Sequence, residues 1–295
     1  MWRYIRQFVK LDAKEALQYV YTVCLSADQG DVGKEQVEIA WELVRRIIVL
    51  ADNGPVWEEL VGGFRGDGSR FVCIETDFHE GCMLISYIQS GLIEQNARLL
   101  CLTEAQQYKE HILLRAARKS EENDRVSEAI KLFNLAGDYR TVVSCLAIAL
   151  GNIIANSGPD EKGHNIQQTA KEILHHYERT NKVVGRNYDA AANLLKIREA
   201  IEAKESGKLE VALGLLESTK LVPLAEDTMK IARKAEEFKD LHESVQRNLP
   251  VYLLLTMRTL AEVYHKVKSS SATDVTKEKV CILWFLNRRK CLTAI

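Results

Sequence analysis

The sequence predicts an all-α fold, an irregular α-solenoid of stacked antiparallel helix pairs, on three observations. Apolar residues recur at three- and four-residue steps in segment after segment. Glycine-centred punctuation separates these segments by only a few residues. A local phrase returns three times: Asp12–Tyr19, Arg125–Leu132 and Lys208–Leu215 align around a small central residue, Ala16, Ala129 or Ala212. A small residue there lets a neighbouring helix approach closely, as stacked helical pairs require. The spacing between the three copies is unequal, so a regular tetratricopeptide array is not expected.

The elements follow in order. From Lys34 to Leu50 the stripe is Val37, Ala40, Trp41, Val44, Ile47 and Ile48, and the Asp52–Pro55 run supplies a stop, since glycine takes the left-handed C′ conformation and proline does not extend the helix behind it. Val126, Ala129, Ile130 and Phe133 line the next clear helix, with Asn123 and Asp124 as capping candidates and Ala136–Gly137 as its close. Asp138 then caps a second helix striped by Tyr139, Val142, Val143, Leu146, Ala147 and Leu150. So short a connection forces the pair antiparallel or steeply crossed.

Ile166, Ala170, Ile173, Leu174 and Tyr177 mark another helix, and Tyr188, Ala191, Leu194, Leu195, Ile197 and Ile201 one more. Leu209, Ala212, Leu213 and Leu216 follow Ser206–Gly207. A long segment carries Ile231, Ala235, Phe238, Leu241 and Val245. A last helix opens around Asn248 and Pro250, proline being tolerated in a first turn, and carries Leu249, Leu253, Met257, Leu260 and Tyr264. About ten to twelve helices are expected. The only β-like patch is Arg70–Thr76, read as an irregular loop or a short hairpin.

Composition limits the function classes. The 295 residues carry 40 basic and 41 acidic side chains with 46% hydrophobic content, which suits a folded chain and offers no basic field for nucleic acid. No direct nucleic-acid contact is expected. No apolar run is long enough to span a bilayer, and Met1–Tyr4 does not open a signal peptide. The seven cysteines, Cys24, Cys73, Cys82, Cys101, Cys145, Cys281 and Cys291, are scattered mostly through apolar helical patterns and read as core thiols of a reducing compartment.

No catalytic, cofactor-binding or metal-ligating set is expected. Glycines 62, 63, 66 and 68 follow a helix and lead into an extended patch, the wrong setting for a phosphate loop. His175 and His176 are adjacent and point about a hundred degrees apart on a helix, and His164 lies three turns away. Cys73, His79 and Cys82 have the right atoms for zinc without paired ligand spacing or a fourth ligand. The mixed charge runs Lys119–Asp124 and Lys230–Asp240 read as solvated faces, and Asn287–Lys290 is a short basic cluster next to the apolar run Cys281–Leu286.

Three segments in order carry a resemblance. Val126–Tyr139 resembles the A-I-x-L-Y-x-L-A-x-x-Y hairpin of the nucleoporin-interacting component family, the large inner-ring scaffold nucleoporins. Trp2–Tyr21 is similar to a helix pair of that family with an E-A-L-Q-Y phrase, and Leu216–Leu224 to its L-x-x-L-x-L-V-P-L segment. The resemblance covers residues 1–268 and corresponds to the C-terminal part of the family's solenoid. Residues 269–295 do not look like the family's final helices; divergence, alternative splicing, an imperfect gene model and low order are the readings open for this tail. The family's N-terminal region, with the helical segment that resembles a docking site for channel nucleoporins, has no counterpart here, so that role is not expected.

The resemblance implies a non-enzymatic scaffold of the nuclear pore complex at the nuclear envelope of the nucleus. It serves pore assembly and the transport of protein and mRNA. The implied partners are a disordered linker nucleoporin and the very large inner-ring scaffold nucleoporins, each laying an apolar segment into a groove between helix pairs. Which residues form the groove is not legible, because one stripe serves core and partner alike. Two other classes stay open at this point. One is a helical adaptor of another assembly such as a vesicle coat; the other is an all-α metal-dependent enzyme using Cys73, His79 and Cys82.

Overall fold

The computed structural model describes residues 1–51, 54–63, 72–75, 85–88, 90–155, 161–180, 185–221 and 236–269, with backbone alone for 72–75, 85–88, 161–162 and 267–269. The chain divides into two compact units, Met1–Val142 and Val143–Ile295. Each is a stack of helices whose sequence neighbours pack against one another.

In the first unit, α1 (Trp2–Phe8) and α2 (Ala13–Val23) form a hairpin against α3 (Gly30–Ala51). Asp12 starts α2 by accepting the Glu15 amide at 2.9 Å. The stripe of α3 is buried at Val37, Ala40, Val44, Ile47 and Ile48, whereas Trp41 is half-buried and donates its indole N–H to the Leu100 carbonyl at 2.8 Å. Helix α4 (Pro55–Val61) begins on Pro55 at its first position. The proline that the sequence assigns to a stop therefore opens the next helix, and Trp57 and Leu60 drop out of solvent on its inner face.

Strands β1 (Val72–Glu75) and β2 (Ile85–Ile88) pair antiparallel, with Val72 opposite Ile88 and Glu75 opposite Ile85. Arg70–Thr76 thus contains one arm of a hairpin. Its partner Ile-Ser-Tyr-Ile, too short to register as a stripe, was not expected from the sequence. Next come α5 (Leu92–Gln95), a 3₁₀ turn Ala97–Leu100, and a continuous rod made of α6 (Ala105–Tyr108), a π-helical turn Lys109–Leu113 and α7 (Leu114–Glu122). Helix α8 (Val126–Ala136) packs on α7, and α7 packs on α3.

Helix α9 (Tyr139–Ala155) crosses from the first unit into the second, which continues with α10 (Glu161–Thr180), α11 (Arg186–Glu205), α12 (Leu209–Ser218), a 3₁₀ turn Phe238–Asp240 and α13 (Glu243–Ser269). Asp138 caps α9 as expected, taking the Thr141 amide at 3.2 Å and its hydroxyl at 2.7 Å. Helix α11 packs on α10, α12 and α13. The Tyr252 hydroxyl ties α12 to α13 by donating to the Leu216 carbonyl at 3.2 Å, 3.2 Å from the Thr219 hydroxyl.

The start of α13 differs from expectation. It begins at Glu243 and runs through Pro250, which sits well past the first turn. Leu241 is extended, the His242 carbonyl takes the Val245 and Gln246 amides, and the ring Nδ1 of His242 accepts the Ser244 amide at 3.2 Å. The Gln246 side-chain amide meanwhile donates to the carbonyls of Phe238, Lys239 and Leu241. This nucleus fixes the helix before proline is reached, so Pro250 withholds one N–H without setting the boundary. Ile231 and Ala235, the glycine-rich run from 64 to 69 and everything from 270 onward lie outside the described residues.

One joint recurs. At Asp124, Gly137 and Gly207 the backbone turns to φ of 58°, 85° and 74°, and the following amide reaches five residues back: Arg125 to Ser120, Asp138 to Phe133, Lys208 to Ala203. The residue that completes each turn is at once the N-cap of the next helix. Asn123 and Asp124 consequently end α7 rather than start α8; the Asn123 side chain donates back to the Lys119 carbonyl at 2.6 Å. The repeated sequence phrase begins on an N-cap each time, Asp12, Arg125 and Lys208, the last two at such a joint, and Ala16, Ala129 and Ala212 are 0%, 1% and 0% exposed.

Candidate functional site

For a fold of this type the candidate site is the surface between neighbouring helices, and among the described residues two grooves edged by strongly exposed leucines, one in each unit, are candidates. In the first unit the end of α2 and the turn after the 3₁₀ segment Ala97–Leu100 enclose a space of about 450 Å³. Tyr21, Cys24 and Cys101 line it, and Leu25 and Leu99, 82% and 52% exposed, stand at its edge. Cys101 owes its place to the turn, which holds it at φ 59° through amide bonds from Cys101 to Arg98 and from Leu102 to Ala97, both 3.1 Å. The Tyr21 hydroxyl is shut off from solvent with no hydrogen-bond partner among the described residues, and burial pushes its pKa up to about 12.

In the second unit α11 and α13 flank a groove of about 710 Å³. Ile201, Val251, Leu254 and Leu255 give it an apolar floor and wall, with Leu254 55% exposed. Arg198 pairs with Glu202 at 3.6 Å and Lys204 with Glu262 at 3.1 Å, so both ends carry paired charge. An apolar strip between charged ends suits the buried face of an amphipathic segment.

The first unit also contains a charge cluster that periodicity did not reveal. Arg45 is buried, donating from Nε to Glu42 at 3.1 Å and from Nη1 to the His111 carbonyl at 2.8 Å. Glu42 also accepts from Arg46 at 2.8 Å and from Lys119. Burial acts to raise the Glu42 pKa, but the hydrogen bonds from Lys119, Arg46 and Arg45 outweigh it and hold the carboxyl down at about 2. Lys119, which the sequence assigns to a solvated face of its own helix, reaches across to α3. The cluster is a clamp between α3 and α7, and its oxygens are saturated by cations, which leaves it no role as an acid or base.

Among the described residues the sequence candidates for chemistry are not brought together. His164 and His175 are exposed on α10, and His176 points to another side of the same helix. Of Cys73, His79 and Cys82, only the backbone of Cys73 falls among the described residues. Among those residues no three His, Cys, Asp or Glu side chains converge on a point where a metal ion fits, and no helix is long and apolar enough to cross a membrane. The grooves themselves were not legible, since Leu25, Leu99 and Leu254 fall outside the apolar stripes that the spacing marks.

Antiparallel pairs joined by short turns and packed on their sequence neighbours define an α-solenoid. The protein-family model described as Nup93/Nic96 matches residues 1–293, and the chain belongs to that family. The match runs past Ser269. Nucleoporin NIC96 of Saccharomyces cerevisiae is 22% identical over 93% of this chain and 31% of its own length. Nuclear pore complex protein Nup93 of Danio rerio is 26% identical over 91% of this chain and 28% of its own length. The crystal structure of the Chaetomium thermophilum Nic96 SOL superposes with a TM-score of 0.71 at 21% identity, covering 97% of this chain and 42% of that one, which shows a shared fold. The chain spans a quarter to a third of the length of the curated relatives it matches.

Proposed function

We propose that this chain is a structural scaffold segment of the nuclear pore complex, at the nuclear envelope, and not an enzyme. The observation that carries this is membership of the Nup93/Nic96 family across residues 1–293. The two grooves supply a mechanism: a rigid pair of helices presents an apolar strip, and a partner's linear or helical segment gains affinity by burying its own apolar face there, at about 25 cal/mol per Å². The partners on this reading are a disordered linker nucleoporin and the very large inner-ring scaffold nucleoporins. Holding them in place supports pore assembly and, through it, the transport of protein and mRNA. Family membership favours this reading over an adaptor of a vesicle coat, which would share the fold and differ in its partners.

The test is affinity capture of the tagged chain from extract of the source cells, with bound proteins identified by mass spectrometry. Enrichment of inner-ring nucleoporins is expected. Recovery of a different assembly, or of no partner by a chain that is folded and helical by circular dichroism, overturns the reading.

A further inference from the structure

We propose that Cys24 and Cys101 form a reversible dithiol site that glutathione disulfide closes into an intramolecular disulfide. The two residues line one groove, and each thiol lies within the electrostatic reach of the other. Their accessibilities are unequal: Cys101 is exposed on its left-handed turn, and Cys24, at the end of α2, is only 8% exposed. That asymmetry divides the roles of an entry thiol and a resolving thiol. Burial pushes Cys24 up to about 11, which keeps it protonated at neutral pH and makes Cys101 the point of entry. Arg98 lines the same groove, and its guanidinium offers a counter-charge to the tripeptide's carboxylates.

The chemistry balances without any group beyond the named oxidant. The Cys101 thiolate attacks one sulfur of glutathione disulfide; the S–S bond breaks and one glutathione leaves, taking up the proton that Cys101 gave to solvent. Cys24 then loses its proton to solvent, and its sulfur attacks the Cys101 sulfur. The mixed disulfide breaks, and a second glutathione leaves and is protonated. Two protein thiols are oxidised and one glutathione disulfide is reduced to two glutathiones. The product staples the end of α2 to the turn after the Ala97–Leu100 segment, across the whole intervening run of α3, α4 and the β-hairpin.

The experiment treats the full chain with glutathione disulfide, blocks residual thiols, and maps unreduced tryptic peptides by mass spectrometry. Cys24 and Cys101 fall in separate single-cysteine peptides, 15–34 and 99–109. The expected product is that pair of peptides joined to each other, released again by dithiothreitol. Cys24→Ser should lose the joined pair and leave peptide 99–109 carrying one glutathione; Cys101→Ser should lose it and leave peptide 15–34 unmodified. Three results overturn the proposal: a stable glutathione adduct on Cys101 of the unsubstituted chain, Cys24 joined to a different cysteine, or no modification of either. Circular dichroism of each variant checks that the helices are intact, so a loss of the product is not a loss of fold.

Discussion

Asp124 and Gly207 occupy the same joint in two different helix pairs, at φ 58° and 74°, and only one of them is free of a Cβ. A left-handed backbone strains an L-residue, aspartate less than most because its short side chain hydrogen-bonds locally. Asp124→Gly should therefore raise stability by about 0.5 kcal/mol, and Asp124→Val should lower it by about 1 kcal/mol, both read from urea midpoints. Gly207→Ala should cost about 1 kcal/mol on the same scale. These effects are opposite in sign at equivalent places, which a generic effect of mutation would not produce. The sequence named Asn123 and Asp124 as caps; it did not show which helix they serve, because Asn and Asp suit a helix start and a left-handed helix end alike. Tyr252 is a clearer case of information held only in three dimensions. Tyr252→Phe removes the bond to the Leu216 carbonyl and should cost about 1 kcal/mol by chemical denaturation.

At the scale of the element, α3 is held by two independent means. Its stripe of Val37, Ala40, Val44, Ile47 and Ile48 was plain from spacing alone. Its clamp to α7 through Glu42 and Lys119 was not, since nothing in local spacing says that these two residues meet. The clamp makes a pH prediction. The Glu42 carboxyl titrates near 4.5 in an unfolded chain and near 2 in the folded one, so the folded state holds its proton more weakly. Its contribution is complete above about pH 4.5 and fades as pH falls from there through 2. Glu42→Gln should lower stability at pH 7 by about 1–2 kcal/mol, with the partial exposure of the pair keeping the figure modest. The gap between the two proteins should narrow steadily between pH 4.5 and 2 in a series of thermal melts. A gap independent of pH would remove the charge from the explanation. The boundary of α13 illustrates the converse: proline was a legible signal, but the His242 and Gln246 bonds that start the helix earlier are side-chain contacts with no sequence signature.

Over the whole molecule, the all-α architecture was legible because the helical period repeats in almost every described segment, and family membership was legible from three phrases in their order. Groove positions were not, since Leu254, 55% exposed, lies outside the stripe that spacing marks on its helix, and spacing alone does not say what such a leucine faces. Leu254 is where that question becomes measurable. Leu254→Glu places charge in the apolar strip between α11 and α13 and, at an exposed site, should change stability by less than about 0.5 kcal/mol. Captured partners that use this groove should fall at least tenfold, whereas Leu11→Glu, at an 83% exposed position outside both grooves, should leave capture unchanged. Equal retention by both variants would place the partner surface elsewhere.

The recurring two- and three-residue joints have a consequence for how the chain is born. Because each turn ends one helix and caps the next, a hairpin such as α7–α8 or α11–α12 holds everything needed to close within one short stretch of sequence. Closing a loop that short takes tens of nanoseconds, whereas the ribosome adds about 5–20 residues per second. Each pair can therefore dock on its predecessor while the next is still being synthesised. Assembly proceeds pair by pair, and only longer contacts such as that of α3 with α7, 77 residues apart at Glu42 and Lys119, wait for a later helix to be made.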